Sequence, residues 1–186
     1  GDGGGKTFAK IQYAKQALVT LGKTLESLRV NYSLRGFSAT SGSFQICDIV
    51  MKEFEDADID YKTVDRVFYP NEGYNDHCQN RDGSSIRHAT QLLLKQRGKK
   101  LLIVISDGMP AHPSGIDSYS GRFGERDTKE AIAEAEKEGI HIVGISIDRH
   151  ANNFVMEAYP NAFVFNDLER FPRQLTETYI KAVLGR

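Results

Sequence analysis

A continuous apolar run at residues 101–105 constrains the fold of this 186-residue chain more than any other feature. The run reads Leu-Leu-Ile-Val-Ile and ends in Ser106, Asp107 and Gly108. Five apolar residues are too few for an ordinary helix, and far fewer than the ~20 that a membrane-spanning helix needs. A short run without polar residues is typical of a strand that is buried on both faces, so the sequence predicts a strand of a helix-covered parallel sheet.

Helical periodicity alternates with such runs along the chain. Apolar residues recur at spacings of three and four from Ile11 to Leu28, which predicts an amphipathic helix that ends near Arg29. After a polar loop at 109–126, Asp127 or Thr128 is expected to cap a later helix. Further helices are predicted over residues 61–68, 83–97, 127–139, 152–158 and 168–182, and further strands over residues 30–37, 44–49, 140–147 and 162–165. This alternation predicts an α/β fold of three layers, a doubly wound, mostly parallel sheet with helices on both faces.

Composition excludes several classes of protein. Lys and Arg total 24 against 25 Asp and Glu, and a net charge of −1 does not suit a general binder of nucleic acid or anionic membranes. The Gly-rich start lacks the basic and apolar regions of a secretory signal. Cys47 and Cys78 are too few for a disulfide scaffold. We therefore expect a cytoplasmic protein with neither nucleic acid nor a membrane as its partner.

Asp107 is the first candidate functional residue. It follows a buried strand, and ligands of parallel α/β sheets bind at the carboxyl ends of the strands. Mg²⁺ is bound by one or two carboxylates together with water, so a carboxylate at this place suits a cation site. Asp also commonly stabilises turns, and position alone weights the two interpretations equally.

Several motifs resemble a known family. Residues 105–110 (Ile-Ser-Asp-Gly-Met-Pro) and 119–128 (Tyr-Ser-Gly-Arg-Phe-Gly-Glu-Arg-Asp-Thr) resemble a von Willebrand factor A domain of the intracellular bacterial type. Residues 80–89 and 36–38 resemble further segments of the same group. The similarity is greatest to the domain that ends nitric-oxide-reductase activation proteins and the cobalt-chelatase accessory subunit. It spans the whole chain and implies one domain over residues 1–186, a C-terminal fragment of a longer protein.

The resemblance implies a metal-ion-dependent adhesion site built from three loops. Asp107 matches the Asp of the third loop. In the second loop, Asn80 stands where the family usually has Thr, and Asp82 comes just before Gly83. Either side chain could supply an oxygen, and Ser84 is a weaker candidate. The implied ion is Mg²⁺, with Mn²⁺ and Ca²⁺ as alternatives.

Residues around these ligands would form the rim that a partner touches. The resemblance and the chain order place Ser106, Gly108, Arg122 and Arg126 on this rim. In the family, a carboxylate of the partner completes the coordination of the ion. The implied partner is an AAA-type ATPase of the MoxR-like or chelatase class, acting in metal-cofactor insertion or reductase activation.

The first loop of the family has no match here. The chain contains no Asp-x-Ser-x-Ser, and no apolar strand precedes its first helix, so the first central strand is absent from the chain. Its neighbours would then lack ladder partners, which is unfavourable for buried backbone groups. We expect another strand of this chain, or a neighbouring chain, to occupy that position.

Three functions follow from these observations. The leading prediction is a non-enzymatic, metal-dependent protein-interaction module. The second is a von Willebrand A scaffold that binds partners without metal, since Asn80 replaces Thr and the first loop is missing. The third is a P-loop nucleotide hydrolase, because residues 4–7 (Gly-Gly-Lys-Thr) resemble the end of a phosphate-binding loop.

Overall fold

A computed structural model describes residues 3–39, 45–68, 79–111, 119–147, 153–165 and 169–181, and Cys78 lies outside these ranges. Helices and strands alternate along most of this length. The elements are α1 (Gly3–Ser27), β1 (Leu34–Ala39), β2 (Ile46–Lys52), α2 (Tyr61–Phe68), α3 (Asp82–Leu94), β3 (Lys100–Ser106), α4 (Gly121–Lys137), β4 (Ile140–Ser146), α5 (Asn153–Ala158), β5 (Asn161–Val164) and α6 (Phe171–Tyr179).

The strands form two separate sheets. Strands β3, β4 and β5 are parallel and lie in that order, with Ser106 of β3 opposite Ser146 of β4. Strands β1 and β2 form an antiparallel hairpin, in which Leu34 lies opposite Lys52. Among the described strands, no ladder joins the hairpin to the three-stranded sheet. The predicted run at residues 101–105 is indeed the interior of a parallel strand, β3.

Helices cover both faces of the parallel sheet. Because side chains alternate along a strand, β4 contributes to two cores. Val143 and Ile145 pack in one core with α1 and with Phe171 of α6. Ile142 packs in the other, with Ile86 of α3 and with α4 and α5. This arrangement confirms the predicted α/β fold with helices on both sides of the sheet.

Two backbone hydrogen bonds connect the hairpin to the parallel sheet. The N–H of Ala39, at the end of β1, donates to the carbonyl of Gln79 at 2.8 Å. The N–H of the next residue, Asn80, donates to the carbonyl of Ala111 at 2.9 Å, a few residues after β3 ends. Residues 79 and 80 therefore connect the C-terminal end of β1 to the loop after β3. We call the side of the parallel sheet at which β3 ends the carboxyl edge.

The predicted start of α4 is wrong. The helix begins at Gly121, with Ser120 in the N-cap position, and not at Asp127 or Thr128. The first turn contains two glycines, and glycine has a low helix propensity, so residue propensities do not predict a helix at this point. Close packing favours the second of them, since a Cβ on Gly124 would lie 3.3 Å from the Pro110 and Tyr119 side chains.

Two other local predictions also change. The second strand of the hairpin runs over Ile46–Lys52 and not over 44–49, which brings the buried Lys52 opposite the first residue of β1. Residues 4–7 lie inside α1, which is helical from Gly3, so the described chain offers no phosphate-binding loop at this point.

Candidate functional site

The loop after β3 is fixed by the Ser106 side chain. The Ser106 hydroxyl accepts a hydrogen bond from the N–H of Gly108 at 3.2 Å, and Ser106 is buried. Gly108 has φ of 142°, in the region that favours glycine over residues with a side chain. The turn is therefore closed by Ser106 and permitted by Gly108.

Asp107 takes no part in closing this turn. Its side chain is exposed, and no hydrogen bond or ion pair engages it within the described part of the chain. The structure therefore does not support the interpretation of Asp107 as a turn-capping residue. Its carboxylate is available at the carboxyl edge of the sheet.

Asn80 joins the loop before α3 to the loop after β3. Its backbone N–H donates to the Ala111 carbonyl, and its side-chain Oδ1 accepts the Ala111 N–H, both at 2.9 Å. Its Nδ2 donates to Oδ1 of Asp82 at 2.5 Å. The Asn80 oxygen already has a donor, so this side chain positions its neighbours.

Asp82 is a buried carboxylate at the first position of α3. Its residue is 1% exposed. Burial raises the pKa of Asp82 to about 7, the hydrogen bond from Asn80 opposes the rise, and the negative charge of Asp107 adds to it. Asp82 and Asp107 thus lie within electrostatic reach of each other. Asp82 also interacts with the Tyr159 hydroxyl. Burial is the main cause of the raised pKa of this hydroxyl, and the negative charge of Asp82 raises the pKa further.

A buried tyrosine connects the start of α3 to α4. The Tyr119 hydroxyl accepts the N–H of Gly83 at 3.0 Å and donates to Oδ2 of Asp127 at 2.7 Å. A Cβ on Gly83 would lie 2.0 Å from the same Asp127 oxygen, so glycine is what lets Asp127 approach the N-terminus of α3. A carboxylate at a helix N-terminus is stabilised by the helix dipole.

Arg87 strengthens the same connection one turn along α3. Its NH1 donates to Asp127 Oδ1 at 2.7 Å, while its Nε and NH2 donate to Glu134 at 2.7 and 3.0 Å. These bonds raise the pKa of the guanidinium and lower that of Glu134. Helices α3 and α4 are thereby held together beside the carboxyl edge.

The structure does not bring all the predicted site residues together. Asn80 and Asp82 lie at the start of α3, and Asp107 lies in the adjoining loop after β3. Ser106, the last residue of β3, and Gly108 flank Asp107. Ser84 is half-buried in the first turn of α3. Arg122 and Arg126 are exposed near the start of α4 and line a shallow depression of about 380 Å³ together with Lys129. Within the described residues, no contact joins these two arginines to Asp107 or Asp82.

The chemistry of the site suits a hard cation, although the protein ligands are few. The carboxylates of Asp82 and Asp107 are close enough for the charge of Asp107 to raise the pKa of Asp82, and Asp82 is buried. Mg²⁺ binds through one or two carboxylates and keeps several waters. A group of three or more His, Cys, Asp or Glu side chains that could hold a metal is not found among the described residues.

Comparison with known proteins identifies the family. Residues 73–185, more than half of the chain, match the family described as the VWA (von Willebrand factor A) domain of the cobalamin biosynthesis protein CobT. This chain is a VWA domain of the CobT family. The match includes both loops of the candidate site and the network around Tyr119, and it confirms the resemblance that the motifs indicate.

The relatives of this VWA domain are longer proteins. It is 34% identical over 143 residues to protein NorD of Stutzerimonas stutzeri, covering 75% of this chain and 21% of NorD. It is 38% identical over 73 residues to protein NorD of Brucella suis biovar 1, covering 39% of this chain and 11% of that protein. This chain therefore spans about a fifth of the length of the first of these relatives.

A solved structure shares the fold. The pilus adhesin SpaC from Lactobacillus rhamnosus GG superposes with a TM-score of 0.60 at 9% identity, covering 95% of this chain and 28% of the adhesin.

This VWA domain contains no helix, within the described residues, that is both long and apolar enough to span a membrane.

Sequence reasoning missed the residues that support the site. Tyr119 and Asp127 lie in a motif that the resemblance used, yet their bonds join segments 36 residues apart and no local pattern reveals them. Two apolar side chains nearby were also missed. Met109, in the loop after β3, is 44% exposed, and Phe123, at the start of α4, is 42% exposed.

Proposed function

We propose that this VWA domain is a non-enzymatic interaction module that binds a protein partner through a divalent cation at Asp107 and Asp82. The observation that carries the proposal is the pair itself. An exposed carboxylate without a described partner lies beside a buried one whose pKa is raised to about 7. Two negative charges in such proximity favour a bound cation, because a cation removes the unfavourable interaction between them.

Mg²⁺ is the ion we assign to this place, with Mn²⁺ and Ca²⁺ as alternatives. Asp107 would contact the ion, Asp82 would supply a second oxygen, and Asn80 would orient Asp82 through its 2.5 Å hydrogen bond. When bound, the ion supplies a Lewis-acidic position for a carboxylate of the partner. Ser106 and Gly108 hold the loop that presents Asp107, and the exposed Met109 extends the contact surface.

The partner that we propose is an AAA-type ATPase of the MoxR-like or chelatase class. Membership of the CobT family and similarity to NorD support a role in metal-cofactor insertion or in reductase activation. The exposed face of α4 that carries Arg122 and Arg126 is a second surface for such a partner. The cytoplasmic location expected from the sequence stays a prediction.

Titration calorimetry of MgCl₂ and MnCl₂ into this chain tests the cation site. We expect one site, weakened by Asp107→Asn at least tenfold, which corresponds to about 1.4 kcal/mol. The matched control is Asp65→Asn, since Asp65 is exposed and pairs with Lys15 on another surface. Equal affinities for wild type and Asp107→Asn would contradict the proposal.

One observation favours the metal-independent scaffold as a second candidate. The Asn80 oxygen, which a cation would need from the second loop, is already bonded to the Ala111 N–H. If this scaffold is correct, the chain binds its ATPase partner equally well in Mg²⁺ and in EDTA. Partner binding is therefore measured in Mg²⁺ and in EDTA, for the wild type and for Asp107→Asn. Loss of binding in EDTA and in the variant supports the cation-dependent module, and unchanged binding supports the metal-independent scaffold.

A further inference from the structure

Two neighbouring backbone segments each expose a large apolar side chain. Met109, after β3, is 44% exposed, and Phe123, at the start of α4, is 42% exposed. The residues that follow them, Pro110 and Gly124, pack together, since a Cβ on Gly124 would lie 3.3 Å from the Pro110 side chain. Single exposed apolar residues are ordinary, whereas several on one surface indicate a contact site.

The exposed ring of Phe123 has a rigid support. Tyr119 contacts it edge to face, with the ring centroids 5.6 Å apart and the ring planes at 87°. Tyr119 is itself 1% exposed and is fixed by its hydrogen bonds with Gly83 and Asp127. A side chain that is already held in place loses little conformational freedom when a partner covers it. Phe123 is therefore preorganised as a contact residue.

Arginines flank Phe123 on α4. The guanidinium of Arg126 lies over the Phe123 ring, 5.8 Å from its centroid. Arg122 is exposed, and no hydrogen bond or ion pair engages it within the described part of the chain. Aromatic residues, Met and Arg are the side chains that are enriched in protein–protein interfaces and in their energetically dominant positions. The composition of this surface is therefore that of an interface.

The charge of the adjoining depression favours an acidic occupant. Three cationic side chains line it, those of Arg122, Arg126 and Lys129, against the two carboxylates of Glu125 and Glu130. The depression is thus positive, although the chain as a whole has a net charge of −1. Glu130 lies 3.7 Å from Arg126, and both side chains are more than half exposed. An exposed pair of this kind contributes little, so a carboxylate of a partner can replace Glu130.

We propose that Met109, Phe123, Arg122 and Arg126 form a docking surface for a protein segment that carries an apolar side chain between carboxylates. The apolar side chain would pack on Met109 and Phe123, and the carboxylates would accept hydrogen bonds from the two guanidinium groups. A nucleic acid supplies phosphates but no aliphatic side chain for Met109. The inference rests on the proposed function only in taking the partner to be a protein, and it needs no bound cation.

Peptide titration followed by NMR, with the ¹⁵N-labelled chain in EDTA, tests the docking surface. The probe is the capped peptide Glu-Asp-Leu-Phe-Glu-Asp. We expect amide shifts to change at residues 109 and 121–126, and the affinity to fall roughly tenfold in the double variant Arg122→Glu, Arg126→Glu. The matched control is Arg173→Glu, because Arg173 is exposed on α6, on the opposite side of the parallel sheet from α4.

A second variant tests the apolar part of the surface. Met109→Ser should weaken the peptide roughly threefold, because less apolar area is buried. Met156→Ser, at a 45% exposed position on α5, is the control and should bind as the wild type does. The peptides Lys-Lys-Leu-Phe-Lys-Lys and Glu-Asp-Ser-Ser-Glu-Asp, which lack the acidic or the apolar side chains, should both bind more weakly than the probe.

The possible results are distinct. Equal affinities for the wild type and the double arginine variant, or amide shifts confined to another surface, would overturn the proposal. Tighter binding of oligothymidylate at the same amides would assign the surface to single-stranded nucleic acid and would also overturn it. A dimer in light scattering that Met109→Ser dissociates would mean that a second copy covers the surface, with the same consequence. Because EDTA is present, peptide binding supports the inference even if Mg²⁺ never binds, and its failure leaves the cation site untouched.

Discussion

Asn80 donates a 2.5 Å hydrogen bond from its side-chain nitrogen to Oδ1 of Asp82. This is the one hydrogen bond that the Asp82 carboxylate receives within the described part of the chain. Asp82 is 1% exposed, and it interacts electrostatically with Asp107 and Tyr159. The carboxylate is therefore held in a position where its charge is poorly stabilised.

The stability of the protein should consequently depend on pH through Asp82. Its pKa is about 7 in the folded state, against 3.8 for an ordinary Asp, so the folded state holds a proton that the unfolded state releases between these values. The stabilisation of the folded state by this proton is complete below pH ~4 and is lost as the pH rises through ~7. In urea unfolding with EDTA, we expect the contribution of Asp82 to lower the free energy of unfolding by about 2–3 kcal/mol between pH 5 and pH 8.

Asp82→Asn is the variant that isolates this effect. It removes the titrating group while keeping the size of the side chain, so the difference between pH 5 and pH 8 should shrink by the same amount. Glu55→Gln, at an exposed position, is the control and should leave the difference unchanged. An Asp82→Asn protein with the full wild-type pH dependence would show that another group is responsible.

Tyr119→Phe should destabilise the protein by about 1–3 kcal/mol. The substitution removes the hydroxyl that accepts the Gly83 N–H and donates to Asp127, and it leaves the buried N–H without this acceptor. Urea unfolding of the variant measures the loss. Tyr61→Phe, at a 48% exposed position, is the matched control and should change stability little. Equal stability of the two variants would mean that water replaces the hydroxyl.

Gly144→Ala should destabilise β4 through steric overlap. A Cβ at this position would lie 2.6 Å from the ring of Tyr159 and 2.9 Å from Val155, both in the core. Overpacking of this kind costs about 1–3 kcal/mol. The matched control is Gly36→Ala, where the nearest atom would lie 3.6 Å away at an ordinary contact distance. Thermal unfolding should show a clear drop for the first variant and a small change for the second.

Lys52→Met should lower stability by about 2 kcal/mol, because a buried ammonium group joins three carbonyls. Its Nζ donates to the carbonyls of Tyr32, Glu53 and Asp56 at 3.2, 3.0 and 2.7 Å. Chemical denaturation of Lys52→Met, compared with Lys62→Met at an exposed position, measures the effect. A similar stability for both variants would show that the three carbonyls find water when the ammonium is absent.

Parts of the fold follow from local patterns. The periodicity from Ile11 to Leu28 predicts α1, which the structure extends back to Gly3. Residues 61–68 form α2 as predicted. These predictions succeed because a helix face and a buried strand depend on the spacing of apolar residues within one segment.

The start of α4 shows where local patterns fail. Gly121 and Gly124 disfavour a helix by propensity, yet Gly124 lies close to Pro110 and Tyr119, and the helix begins there. Asp127 could be interpreted as a helix cap from sequence. In the structure its carboxylate instead accepts bonds from Tyr119 and Arg87.

The sequence by itself determined the class of the fold and the strand that ends just before Asp107, because each depends on the order of consecutive residues. Only the tertiary structure decided that Asp107 is exposed while Asp82 is buried, and that β1 and β3 face each other across a cavity. Burial, electrostatic proximity and ladder pairing depend on segments that are distant along the chain, and no local spacing specifies which of those segments meet.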